Sequence, residues 1–393
     1  MTPSVYFDNG ATSRVDPRVI AAMLPFFSET YGNPSSLHAH GAEAAEAVSS
    51  ARERLAGLLR VTPEEVIFTS GGTESNNLAV KGVALGSTRC RGLVTSAVEH
   101  NSVLAACRWL SFRGCEVACV RVDPEGFVDV DALRQALTSE TALVSVMHSN
   151  SEVGTLEPVV EISELCRERG IPFHTDACQS FGKVPLRSEL FDLISLSSHK
   201  MYGPKGVAAL VVRSRLRRGP TTVLDPLLNG GGQEFGVRSG TENVPGIVGF
   251  ARAAELCYEE LESETVRVSR LRDRVIRELT AYPNSYVNGP RDGGRRLPGN
   301  VNIGFHGLEG QATALLIRLS ERGVSVSTGS ACSSHEGDAP SHVLTALGRN
   351  PVEAKGALRI TLGRFNTEAE VDYFLNEAFP ESFRPLPSIF AGG

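Results

Sequence analysis

The sequence predicts an α/β fold: a large domain on a mostly parallel sheet, then a smaller α+β domain at the C-terminal end. Three observations predict it. Seven short runs rich in β-branched and apolar residues recur at 65–69, 92–96, 116–121, 142–148, 171–177, 191–196 and 207–213. Polar segments of helical periodicity, such as 158–169, lie between several of them, a pattern expected of βαβ units with both sheet faces covered. After about residue 250 the texture changes to a charged helical stretch followed by mixed short elements. The expected division is 14–255 for the large domain, with 1–13 and 256–393 forming the small one.

The elements follow in order. Residues 42–60 place Val48, Ala51, Leu55 and Leu58 at steps of three and four, which predicts an amphipathic helix. Glu65–Thr69 reads as a strand running into Ser70-Gly-Gly-Thr73, and a helix over 73–84 follows. In the second half, 251–281 is expected as one long helix with Cys257, Leu261, Val268, Leu271 and Val275 along one stripe. A Pro/Gly/Asn-rich connection over 283–299 leads to a strand (300–305), a helix (310–322), a strand (324–327), a loop (328–340) and a strand (357–363). The last helix opens at the capping pair Thr367/Glu370.

Composition bounds the function classes. The 393 residues carry 39 Lys and Arg against 45 Asp and Glu, a net charge of −6. That mild acidity argues against nucleic-acid binding, which needs a clustered basic surface. No apolar run approaches the ~20 residues that span a bilayer, and the first residues lack the basic and apolar stretches of a secretory leader. A cytoplasmic protein is expected. Its eight cysteines are scattered and form no CxxC pair, so seven are expected as small, reduced, buried hydrophobes. Cys332 differs, because it lies in a polar loop of small residues. Glycine, 39 of 393 residues, exceeds its usual share of ~7%.

Four segments carry chemistry. In Ser197-Ser-His-Lys-Met-Tyr-Gly-Pro-Lys-Gly206, Lys200 follows an apolar strand and precedes a glycine turn, where α/β sheets expose reactive groups. A lysine there can form a Schiff base with a carbonyl. His174-Thr-Asp-Ala-Cys-Gln179 ends another strand, and Asp176 is suited to pair with a protonated pyridine nitrogen. Ser70-Gly-Gly-Thr-Glu-Ser-Asn-Asn77 is a glycine turn opening a helix, an anion site made of backbone N–H groups. Gly230–Thr241 adds flexible backbone, the cation Arg238 and a hydroxyl. A phosphate, an aldehyde-bearing pyridine and a lysine account for all four, which makes pyridoxal phosphate the economical ligand. His335, Glu336 and Asp338 lack a zinc spacing, and no metal is expected.

The ordered set SGGTESNN, EHNSV, TDACQS, SSHKMYGPKG, RSGT and GSACSS resembles the cysteine desulfurases, in the class V aminotransferase-like group of fold-type I pyridoxal-phosphate enzymes. The likeness runs from Tyr6-Phe-Asp-Asn-Gly-Ala-Thr12 through Tyr31-Gly-Asn-Pro-Ser35 to Thr361-Leu-Gly-Arg364. It implies that Lys200 holds the cofactor and later moves the Cα proton. Asp176 would pair with the ring nitrogen, Gln179 with the ring oxygen, and His100 would stack on the ring. Gly72, Thr73, Ser197 and His199 would hold the phosphate, while Thr241 would reach the phosphate of a neighbouring subunit, implying a homodimer. Arg359 would bind the substrate carboxylate, with Asn33 also on the substrate side. Cys332 would take the sulfur of cysteine as a persulfide, leaving alanine, and a sulfur acceptor or iron–sulfur scaffold protein is the implied partner.

Two departures stand out. Where the family has two consecutive asparagines, this chain has Asn150-Ser151, and Ser151 lacks the amide that contacts the cofactor region. The Cys332 loop is one residue longer than in the commonest desulfurases, and its His335–Ser341 ending is similar to that of selenocysteine lyases. Selenocysteine lyase and other class V aminotransferases or lyases therefore stay open, with a non-catalytic cofactor-binding scaffold as the reading from another class.

Overall fold

The computed structural model describes residues 3–86, 92–218, 224–307, 311–328 and 339–383. Cys332 and its neighbours Gly329, His335, Glu336, Gly337 and Asp338 lie outside the described residues. Thirteen strands occur among the described residues: β1 (Val5–Tyr6), β2 (Val66–Thr69), β3 (Gly92–Ser96), β4 (Val117–Val120), β5 (Thr141–Ser145), β6 (Phe173–Asp176), β7 (Leu193–Ser197), β8 (Ala208–Val212), β9 (Ser285–Val287), β10 (Asn300–Phe305), β11 (Val324–Ser325), β12 (Ser327–Thr328) and β13 (Leu358–Thr361). The chain divides into two compact units, one of 12–151 and 155–263, the other of 1–11, 152–154 and 264–393.

The larger unit is built on a seven-stranded sheet in the order β2-β8-β7-β6-β5-β3-β4. Its pairs are parallel except around β8, which runs antiparallel to both β2 and β7. Successive residues of one strand feed two different cores. Phe68, Val94, Val144 and Ile194 enter one apolar cluster, while Ile67, Leu93, Leu143 and Leu193 enter the other. Side chains alternate across a strand, so a sheet covered on both faces needs apolar residues at every position. The helix Ala39–Leu59 contributes Ala44, Val48, Ala51 and Leu55 to the first cluster, in the periodicity its sequence predicts.

The smaller unit pairs β12-β13-β10-β9 in one antiparallel sheet and β1 with β11 in a parallel pair. Its core gathers Val268, Leu271, Val275 and Leu279 with Phe7, Ile303, Ile360 and Phe374. The helix opening at Thr367 has the expected reciprocal cap, with Glu370 N–H donating to Thr367 Oγ1 at 3.2 Å and Thr367 N–H donating to Glu370 Oε2 at 2.8 Å.

Three expectations need correction. The single helix over 251–281 is two helices, Val244–Glu259 and Leu261–Thr280, separated at Glu260. Their stripes serve different cores: Cys257 joins that of the larger unit, whereas Val268, Leu271 and Val275 join that of the smaller. The connection 283–299 contains β9, whose three residues pair with β10. Finally, Cys115 is disulfide-bonded, although Cys107, Cys119, Cys166, Cys178 and Cys257 are free.

Candidate active site

Sheet topology brings the predicted motifs of the larger unit to one edge. Strands β3, β5, β6 and β7 run parallel. Two antiparallel pairings through β8 make β2 run with them, and Thr69 and Ser197 both pair with Ala208. The carboxyl ends of five strands thus share an edge, where loops after the strands project functional groups.

Asp176 ends β6 and is buried. Its Oδ2 accepts from Asn76 Nδ2 at 2.6 Å and its Oδ1 from Cys178 N–H at 2.9 Å. Burial opposes its ionisation, but the His100 ring and these donors together hold the carboxyl below its ordinary range. Asn76 also donates to Ser102 Oγ at 2.8 Å, and Ser102 Oγ lies 2.7 Å from His100 Nδ1. Ser102 N–H donates to the same Nδ1 at 3.1 Å, so in the ring's neutral form the proton sits on Nε2. One hydrogen-bonded chain therefore joins three separate motifs, from Asp176 through Asn76 and Ser102 to His100.

The helix Gly72–Leu85 starts beside this chain. A Cβ at Gly72 would lie 2.6 Å from Cys178 Sγ and 3.7 Å from Ser197 Cβ, so only glycine lets the helix start approach both. Thr69 and Ser75 hydroxyls, 2.7 Å apart, tie the first helical turn to β2. Ser197 Oγ is buried with no hydrogen-bond partner among the described residues. A buried hydroxyl without a partner beside a helix N-terminus suits a phosphate, which accepts from both.

Lys200 closes the short turn Ser198–Lys200 after β7 and is half-buried. Its charge acts on Cys178 and on His199. Burial first, then Lys200, Lys205 and Lys183, pull His199 down to about 4, so its ring is neutral near pH 7. His199 Nδ1 lies 3.1 Å from Thr12 Oγ1, and its backbone carbonyl accepts from Ser13 N–H and Oγ. Gln179 is buried and accepts from Lys183 Nζ at 3.4 Å through Oε1. Arg238, expected as a cation of the site, donates to Glu74 Oε1 at 2.9 Å instead.

Not every predicted residue joins this group. Ser151 is half-buried in a turn, and the amide of Asn150 donates to Val98 O at 3.0 Å, away from any role as substitute. Asn33 is exposed and accepts from Ser35 N–H at 2.9 Å, while Thr241 is exposed ahead of the helix Val244–Glu259. Arg359 belongs to the smaller unit, on β13. It is 2% exposed, its Nη2 donates to Asp8 Oδ1 at 3.1 Å, and its Nε has no partner among the described residues. Asp8 is the anionic partner of this buried guanidinium, and its unpaired Nε leaves a further donor.

The family pattern described as "Aminotransferase class-V" matches residues 5–374. The chain belongs to the class-V aminotransferase family. Two relatives of this class-V chain carry the name cysteine desulfurase IscS. That of Dictyoglomus turgidum is 46% identical over 381 residues, covering 96% of this chain and 94% of the relative. That of Clostridium botulinum is 45% identical over 385 residues, covering 97% and 94%. A solved structure titled "NIFS-LIKE PROTEIN" superimposes with a TM-score of 0.88 at 40% identity, covering 96% of this chain and 99% of that one. The fold is thus that of the NifS-like members of the class-V family.

Sequence reasoning missed several residues of this class-V site. Asn76 and Ser102 link Asp176 to His100, yet only Asn76's place one turn after Gly72 and Ser102's place two after His100 hinted at it. Thr12 and Ser13 seat His199, and Asp8 holds Arg359, from an N-terminal motif read only as a likeness.

Proposed function

We propose that this chain is a pyridoxal-phosphate-dependent cysteine desulfurase that converts L-cysteine to L-alanine and passes the sulfur to Cys332. The observation that carries it is the cradle around Lys200 in a chain nearly half identical to cysteine desulfurases over almost its whole length. The residues fit the cofactor. Gly72, Thr73, Ser197 and neutral His199 would donate to its phosphate, Asp176 would hold a positively charged ring N–H, and Gln179 would reach the ring oxygen. Bound pyridoxal phosphate supplies an electron-accepting ring for the pair left at the substrate Cα.

The chain's own groups supply the rest. The ionised Asp176 is needed to keep the ring proton in place, and the donors from Asn76 and Cys178 keep it ionised. Lys200 would take the Cα proton, and His100 Nε2–H would donate to a group above the ring. Arg359 would grip the substrate carboxylate through its planar fork, with Asn33 also on the substrate side. Cys332, as thiolate, would attack the substrate sulfur. The Cβ–S bond would break with its electron pair left on carbon, which takes protons on the way to alanine. The sulfur would stay on Cys332 as a persulfide for an acceptor or iron–sulfur scaffold protein.

Homodimerisation is part of the proposal. Leu24, Phe27, Tyr31 and Leu37 are exposed apolar side chains within one short stretch, at 59%, 63%, 65% and 104% of their full accessibility. A second copy would cover them, and exposed Thr241 would serve the partner's phosphate. A cytoplasmic location fits the five free thiols among the described residues, although Cys115 is disulfide-bonded.

The test is alanine and sulfide release from L-cysteine, with a thiol reductant present to release sulfide from the persulfide, by protein reconstituted with pyridoxal phosphate, with Lys200→Ala and Cys332→Ala as controls. Both variants should be inactive, and Lys200→Ala should lose the cofactor's lysine-bound absorption. Absence of alanine from the unmodified protein would overturn the proposal. The His335–Ser341 sequence favours a second reading, selenocysteine lyase, which side-by-side turnover of the two amino acids separates.

A further inference from the structure

The loop 230–241 ends at Thr241, the residue proposed to reach the partner's phosphate, and a buried ion pair holds it. The side chains of Arg52 and Glu234 are 10% and 2% exposed. Glu234 Oε2 accepts from Phe68 N–H at 2.7 Å and from Arg52 Nη1 at 2.8 Å, and Oε1 accepts from Arg52 Nη2 at 2.7 Å. Arg52 Nη1 also donates to the carbonyl of Val66. Val66 and Phe68 lie on β2, the outermost strand of the seven-stranded sheet. An outermost strand leaves alternate N–H and C=O groups without a strand to pair with, and here the ion pair takes that strand's place.

The loop backbone bears the mark of this hold. Of the five non-glycine residues with positive φ among the described residues, Glu234 (48°) and Phe235 (59°) are consecutive. Side chains rarely enter that region, and such a pair persists only where its surroundings fix it. The Arg52 guanidinium lies 4.6 Å from the Phe68 ring centre and 5.0 Å from that of Phe235, packing on both. From this anchor the loop closes on itself. Val237 N–H donates to Glu234 O at 3.1 Å, Ser239 N–H to Leu228 O at 3.1 Å, and Gly240 N–H to Gln233 Oε1 at 2.9 Å. Arg238 adds a second hold through Glu74, whose Oε2 accepts from Ser70 N–H at 2.9 Å in the turn proposed to hold phosphate. Thr241 follows directly on this frame.

We propose that Glu234 is a positioning residue for the cofactor: with Arg52 it clamps the loop to the edge of β2 and so sets Thr241 where it would reach the phosphate of a neighbouring subunit. The inference rests on the reading of Thr241 as that phosphate's ligand. Both charges of the clamp are buried, so removing one would strand the other and destabilise the fold. Replacing both with apolar side chains of similar length avoids that penalty and still abolishes the clamp. Position and stability can thus be told apart.

The test uses the double variant Arg52→Met/Glu234→Met in the full chain, with pyridoxal phosphate affinity read by absorbance titration. The variant is expected to keep a urea midpoint near that of the unmodified protein and to bind pyridoxal phosphate about tenfold more weakly, the scale of one lost hydrogen bond to a charged group. Amide exchange at Phe68 should also speed, a readout that needs no cofactor. Thr241→Ala should weaken binding alike, and adding it to the double variant should weaken binding no further, because both remove one contact. Should the double variant fail to fold, Arg52→Lys takes its place with the same direction of change, since lysine keeps the charge but lacks the fork that reaches both Val66 and Glu234. Unchanged affinity in the clamp variant beside an impaired Thr241→Ala, or effects that multiply when combined, would overturn the inference. Thr241→Ala binding pyridoxal phosphate as tightly as the unmodified protein would instead defeat the reading of Thr241, and the inference with it.

Discussion

Glu99, next to His100 in sequence, is fully buried, and its Oε1 accepts from Ser96 Oγ at 2.6 Å and from Met147 N–H at 2.9 Å. Burial pushes its carboxyl up to about 8 against these two donors, with the negative charge of Asp176 adding to the rise. The folded protein therefore keeps a proton that the unfolded chain releases near the ordinary value of 4.5. Between those two values the native state binds more protons, so this group's contribution to stability falls as pH rises and is lost by about pH 8. At ~1.4 kcal/mol per unit, the span between about pH 6 and 8 corresponds to about 3 kcal/mol. Glu99→Gln carries no charge at any pH, and its amide oxygen can accept both existing hydrogen bonds. The stability of the variant relative to the unmodified protein should rise by about 3 kcal/mol over that interval. Urea unfolding followed by the single tryptophan, Trp109, which lies in the same unit, reads this directly. Buried carboxyls that do not feel the Glu99 charge, such as Glu152, titrate alike in both proteins and cancel in the difference. Parallel stability curves for the two proteins from pH 6 to 8 would refute the reasoning.

Three further outcomes are expected. Ser197→Ala should leave the fold intact and weaken pyridoxal phosphate binding about tenfold in an absorbance titration, because one buried donor is lost; unaltered affinity would remove Ser197 from the phosphate site. Gly72→Ala places a Cβ against Cys178 Sγ and should destabilise the helix start by about 1–3 kcal/mol, read as a lower urea midpoint, whereas adding Cys178→Ala should restore most of it. Ser151→Asn should raise kcat/KM for cysteine by supplying an amide where the turn has only a hydroxyl, and an unchanged kcat/KM would show that the missing amide has no effect.

Motifs whose chemistry is local were legible before any coordinates. Lys200 after a strand, Asp176 at a strand end and the glycines before a helix are each placed by a few consecutive residues, because strand ends and helix N-termini expose reactive groups wherever they occur. The seven strands were legible for a similar reason: a sheet covered on both faces leaves runs of apolar residues. Elements whose stability comes from distant partners were not. The three residues of β9 form a strand only because β10 lies beside them, and the break at Glu260 reflects two cores claiming two halves of one amphipathic stretch.

By itself, then, the sequence determined the α/β class and the places of Lys200 and Asp176 at strand ends and of the glycine turn before a helix, since each depends on residue type and on neighbours a few positions away. Tertiary structure decided how they act together. Asn76 and Ser102 connect Asp176 to His100 across 76 residues from Asp176 to His100, and Asp8 reaches Arg359 across 351. Such hydrogen bonds and ion pairs form between groups that only the sheet order and the packing of both faces bring within about 3 Å, a distance no periodicity along the chain encodes.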